Sequence, residues 1–302
     1  MAETDSSVPN PSTVSVYGID HSPWVQAVLL GLQERGIDYR VRSIPPLGVF
    51  VRSGILMPAA SIDDRPWMLD SERILVALGF SEVPREVRRE LMVAFTQCAA
   101  HRRDDILQFW RRFGLVREGE PSWARRHWNF FWRAFAAFYF FCVLTVARRA
   151  LGRSTHEQSV QHFSALQKRL DPEAGFFGGE RPDTVDLQLF GIVQMLGSIP
   201  GPPLGVLRED PALEPLRGWI ARMQQRFGNH PGLYSGPYFE PLLPAPETAR
   251  TSERIAFGCG AALMWLAFPL TFLTALCYFV SNRLRGLQGT GIDDFSSGSA
   301  AS

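Results

Sequence analysis

The sequence predicts three parts in series: an α/β domain, an all-α domain, and one apolar helix of membrane length near the C-terminal end. Three observations carry this. Up to about residue 80, short alternating runs that read as strands sit beside an amphipathic helical stripe. From 85 to 240 the periodicity is helical, with Gly/Pro-rich joints at Gly201-Pro202-Pro203 and from Gly228 to Pro237. Ile255 to Val280 carries no charged residue. At about 1.5 Å per residue that run exceeds a hydrocarbon core of roughly 30 Å. A chain of 302 residues is longer than one ordinary domain, and a net charge of +1 gives no electrostatic ground for a nucleic-acid partner.

The elements follow in order. Residues 1–12 are acidic, contain Ser and Pro, and are expected to be disordered. Val14 to Tyr17 alternates like a strand and ends at Gly18. Ser22 is then a good N-cap and Pro23 a good first helical residue, because its missing N–H is one that a helix start leaves unpaired. Val25, Val28, Leu29 and Leu32 form the i, i+3, i+4, i+7 stripe of that helix, which stops at Gly36. A hydroxyl at a helix N-terminus suits an anion, since free N–H groups and the positive end of the macrodipole point there. Met57-Pro58 precedes the strand-like Ala59 to Ile62; a cis peptide there would turn the Met57 backbone outward to pair with an extended ligand. Asp70 and Ser71 follow Trp67-Met68-Leu69 and open a further helix, where free N–H groups suit a carboxylate and Asp70 an ammonium. These elements make a first domain over 13–80.

The second domain, 85–240, follows the linker Ser81 to Pro84. Arg85 to Arg112 reads as one long helix and Arg217 to Phe227 as a late one. Gly178 to Asp186 reads as a capping motif with Asp183 at the cap and Asp186 at N3. Trp128 to Val146 is crowded with aromatic residues and apolar on every face, which fits a deeply buried helix or one in contact with lipid. Residues 241–254 read as a linker, 255–280 as a transmembrane helix and 281–302 as a disordered tail. Pro269 within the apolar run is tolerated in a membrane helix. Arginines flank both ends of that run, so charge does not orient it.

Ser22-Pro23-Trp24-Val25, Met57-Pro58, Asp70-Ser71-Glu72-Arg73-Ile74 and the Gly178 to Asp186 motif occur in an order that resembles the glutathione transferase superfamily, over roughly residues 13–240. The resemblance implies a thioredoxin-like α/β domain followed by an all-α domain, to which this chain adds its apolar C-terminal helix. It also implies glutathione as co-substrate, with no metal. Ser22 would be the catalytic residue, donating a hydrogen bond to the glutathione sulfur and so raising the thiolate fraction. Met57 and Pro58 would receive the cysteinyl part and Asp70 and Ser71 the γ-glutamyl end. His21 stands beside Ser22 and could tune it.

The function expected from this resemblance is attack of the glutathione thiolate on a small hydrophobic electrophile, by a protein whose other partner is a lipid bilayer. A homodimer is open. With no signal peptide, the expected placement is a single-pass C-terminal anchor with the globular part in the cytoplasm. A second reading belongs to another class: a non-catalytic adaptor that keeps the fold at a membrane, as metaxins do. Two features favour it. Gln26-Ala27 stand where many catalytic bacterial members have basic residues, and Ile44 to Gly54 is unusually apolar for a segment over a polar tripeptide.

Overall fold

The computed structural model describes residues 11, 13–19, 22–96, 122–152, 154–171, 174–197, 205–230 and 249–289. His21, the 97–112 part of the expected long helix, residues 241–248 of the expected linker and the chain beyond 289 lie outside these.

The first domain is built from β1 (Val14–Tyr17), α1 (Pro23–Glu34), β2 (Tyr39–Arg42), α2 (Leu47–Ser53), β3 (Ala59–Ile62), β4 (Met68–Leu69) and α3 (Ser71–Ala77). The sheet order is β2-β1-β3-β4, with β1 and β2 parallel and the other two pairs antiparallel. Side chains alternate across a pleated strand, so each strand feeds two layers. Val14, Val16 and Ala60 point into the main core with Val25, Val28, Leu32, Ile74 and Leu75. Tyr17, Ala59 and Leu69 point to the opposite face, where Val49 of α2 meets them.

The helical domain comprises α4 (Arg85–Thr96), α5 (Trp123–Leu151), α6 (His156–Gln167), α7 (Thr184–Gly197), the short α8 (Gly205–Glu209), a 3-10 turn (Pro211–Leu213) and α9 (Glu214–Arg226). The main core continues into it through Phe163, Leu187, Phe190 and Trp219, so the two domains share one apolar interior. The motif ahead of α7 works as half of a capping box. Asp186 accepts the Asp183 N–H at 3.0 Å, while Asp183 itself accepts from Thr184 N at 2.8 Å and, across the domain boundary, from Ser81 N at 2.9 Å. Asp186 also takes Phe177 N, Gly178 N and Trp219 Nε1 at 2.7–2.9 Å, tying loop, helix and core together.

The last element, α10, covers Thr251–Gly289. It starts earlier and ends later than the charge-free run alone suggests, because hydropathy marks the apolar part of a helix and not its hydrogen-bonded ends. Its neighbour is α5, and the two run parallel. The Arg126–Glu253 ion pair at 3.5 Å sits at one end, and Phe130 and Ala134 then pack with Phe257 and Ala261. Further along, Phe135 and Tyr139 pack with Met264, and Phe138 meets the Trp265 ring at 5.9 Å. At Gly260 the backbones are so close that a Cβ would overlap the Phe131 carbonyl.

The 251–278 part of α10 is long and apolar enough to cross a bilayer, and only 28% of its most apolar window is buried. A soluble core helix of this composition would be mostly buried. Here Ile255, Leu263, Leu266, Leu270, Leu273, Leu276 and Val280 form an exposed stripe at three- and four-residue spacing.

Candidate functional site

The expected site residues come from three turns at one end of the sheet. Ser22 has extended backbone angles (φ −74°, ψ 127°) and heads α1, with Pro23 in the first turn. Its side chain does not cap the helix; it is 0% exposed, and its Oγ has no hydrogen-bond partner among the described residues. Buried hydroxyls are rarely left so, since each unsatisfied group costs about 1–3 kcal/mol. The neighbouring hydroxyl is already engaged: Tyr17 Oη donates to the Ile55 carbonyl at 3.3 Å, and burial pushes its phenol up.

The Met57–Pro58 peptide is cis. Asp70 N donates to the Pro58 carbonyl at 3.3 Å, which ties the cis turn to the start of α3. Asp70 is the N-cap of α3, its Oδ1 accepting from Glu72 N at 2.9 Å. Its backbone lies at φ 87°, a region sparsely populated by residues with side chains. Desolvation pushes its carboxyl above the usual range, against the downward pull of the Glu72 and Arg73 amides.

Ser71 is buried, and here the structure adds a residue that the motifs did not single out. Gln188 of α7, itself buried, donates from Nε2 to Ser71 Oγ at 3.1 Å. The contact is possible because α7 lies directly on the first turn of α1: a Cβ at Gly191 would overlap the Pro23 carbonyl. The signal in the sequence was a polar residue within the apolar run Leu187 to Met195. Trp24, the residue after the Ser-Pro pair, packs edge-on to Phe95 of α4 at 5.5 Å.

The parallel β1–β2 pair, the antiparallel β3–β4 hairpin entered through a cis proline, and an all-α domain whose α7 sits on α1 make up one known architecture. The chain has a glutathione transferase-like fold. Similar solved structures include a theta class glutathione S-transferase from Xanthomonas axonopodis pv. citri with glutathione bound, at 20% identity and TM-score 0.42, covering 75% of this chain and 98% of that one. A tau class enzyme from mango, Mangifera indica, matches at 13% identity and TM-score 0.41, covering 73% and 90%. A glutathione S-transferase from Pseudomonas fluorescens matches at 18% and 0.37, covering 75% and 99%. No protein-family model and no curated protein matches the sequence.

Tyr278, near the end of the membrane-length part of α10, packs into the cluster of Tyr17, Val49, Ala59 and Leu69, beside Met57 and Trp67. Among the described residues no group of His, Cys, Asp or Glu could hold a metal ion, and Cys142, Cys259 and Cys277 are free.

Proposed function

We propose that this protein binds glutathione at the end of the sheet and directs its thiolate at a small hydrophobic electrophile, while α10 holds it at a lipid bilayer. The observation that carries the chemistry is the Ser22 hydroxyl, buried at a helix N-terminus with no partner among the described residues. A donor kept free of internal bonds is available to a sulfur anion, and it lowers a thiol pKa as a hydrogen-bond donor without a general base. Met57 would offer its backbone to the cysteinyl part. The Ser71 hydroxyl, whose oxygen accepts from Gln188, keeps its own proton to donate to the γ-glutamyl carboxylate, and Asp70 would take the ammonium. Membrane attachment rests on the exposed apolar stripe of α10.

One observation favours the adaptor. Ser22 has no accessible surface, so a thiol reaches it only if a neighbouring group moves aside. Titration calorimetry of glutathione into the full chain in mild detergent separates the two, paired with an aryl halide conjugation assay. Binding at millimolar concentration or tighter, with turnover, is the expected result. Absence of both leaves a membrane-tethered adaptor.

A further inference from the structure

The segment from Tyr39 to Leu56 holds three arginines, Arg40, Arg42 and Arg52, and no acidic residue. Its short helix α2 buries Val49 and Ser53 and turns the rest outward: Leu47 is 78% exposed, Val51 73% and Phe50 42%, with Ile44 and Val41 also exposed. A water-facing helix of a soluble domain would carry polar residues at these positions. Nothing in the domain's own packing calls for this patch, which adjoins α10.

The contacts with α10 fix its place. Gly54, which ends α2, lies against Thr271 and Thr274, and Ile55 packs with Met264, Phe135 and Tyr139. Residues 264–274 are the middle of the apolar run from 255 to 280. An element packed there is held beside the part of α10 that the membrane reading puts against lipid. The exposed apolar side chains of α2 thus belong to an element packed directly on α10, which carries an exposed apolar stripe of its own. Arg40, Arg42 and Arg52, all exposed, are the charges nearest to it in sequence. Apolar residues beside basic ones, with no acid, is the composition of an interfacial helix on anionic lipid.

We propose that α2 is a second lipid-contacting element, its Leu47, Phe50 and Val51 in the bilayer and its arginines at the headgroups, so that the thioredoxin-like domain lies against the membrane. This rests on the membrane reading of α10. It replaces a domain hanging free in water from a tether with one seated on the lipid by its α2 face.

The test uses the full chain, without substitutions, in vesicles of phosphatidylcholine and phosphatidylglycerol that contain a phosphatidylcholine with a diazirine in its acyl chain. After irradiation and trypsin, adducts are mapped by mass spectrometry. Cleavage at Arg42 and Arg52 isolates residues 43–52, which hold all of α2 up to Arg52. The expected result is labelling of that peptide and of α10, with little on 154–168, where Thr155 to Glu157 face water. Labelled α10 with an unlabelled 43–52 peptide would overturn the proposal and leave the anchor standing. Absence of label from α10 as well would overturn the membrane reading itself.

Discussion

Replacing Ser22 by alanine should move stability and activity in opposite directions. An N-cap serine normally loses about 1 kcal/mol on truncation, because its oxygen accepts from the helix N–H groups. Here that bond is absent, so the cost is absent too. What remains is a buried hydroxyl with no partner among the described residues, whose removal relieves about 1–3 kcal/mol less the small void left by one oxygen. We expect ligand-free Ser22→Ala to be as stable as the parent or about 1 kcal/mol more stable, a rise of a few degrees in melting temperature. If the hydroxyl faces the thiolate, turnover with a reactive aryl halide should fall about 10²-fold, the scale for losing one anion-stabilising donor. Urea unfolding in mild detergent, read by tryptophan fluorescence, gives the first quantity, and conjugation kinetics give the second. A stability loss of about 1 kcal/mol or more would show that the hydroxyl is bonded within the resting protein. Unchanged turnover would move thiol activation elsewhere, with His21 the next residue to test.

Asp70→Asn should leave melting nearly unchanged, since Asn and Asp cap about equally, but weaken glutathione binding by about 1.5–3 kcal/mol if the carboxylate holds the ammonium; paired melting and calorimetry decide. Burial raises the Asp70 carboxyl, so its charge is lost at a higher pH than for an ordinary aspartate. Affinity measured down a pH series should fall before pH reaches the usual carboxylate range, and this fall should vanish in Asp70→Asn. Gln188→Leu should cost about 0.5–1.5 kcal/mol of glutathione binding through Ser71, a change calorimetry can resolve; equal affinity would make the Gln188 bond purely structural. Full-length protein should stay in the membrane pellet through a carbonate wash, and recovery in the supernatant would remove the membrane reading. A chain ending at Arg250 should still pellet or aggregate, because losing α10 bares Ile55, Phe130, Phe135 and Tyr139.

The parts of the fold legible in the sequence are those fixed by local chemistry. Pro23 after a serine at the N-cap position, Gly36 after an apolar stripe and a proline just before a short strand each restrict a few torsions, and the structure has α1, its stop and the cis turn there, although the Ser22 side chain does not cap. The pieces that depend on partners far along the chain were not legible. Gln188 meets Ser71 across 117 positions, and although its place in an apolar run marks it, no local pattern says which residue it meets. The relation of α5 to α10 was hidden for the same reason. Each read as an all-round apolar helix, but the parallel register comes from side-chain shape, from Gly260 admitting Phe131 and from Glu253 reaching Arg126. The apolar character of 44–54 was visible and looked anomalous over a polar ligand. Its explanation needed the contact between Gly54 and the middle of α10.

That contact also bears on how the thiol site is closed. On the proposed reading, α2 and the turn that leads from it to Met57 form one wall of the ligand site. Here α2 is held from behind: Ile55 packs with α5 and α10, Tyr17 bonds the Ile55 carbonyl, and Tyr278 fills the space beside Met57. Three separate elements would have to shift before this wall could swing. On the α1 side Ser22 N is bonded to Ile19 O at 3.0 Å, and the Ser22 hydroxyl has no partner among the described residues. A ligand that reaches the Ser22 hydroxyl without moving α2 would leave the packed wall undisturbed. Loosening α2 by Tyr278→Ala should then change membrane contact far more than it changes glutathione affinity; comparable losses in both would show that the ligand enters through this wall.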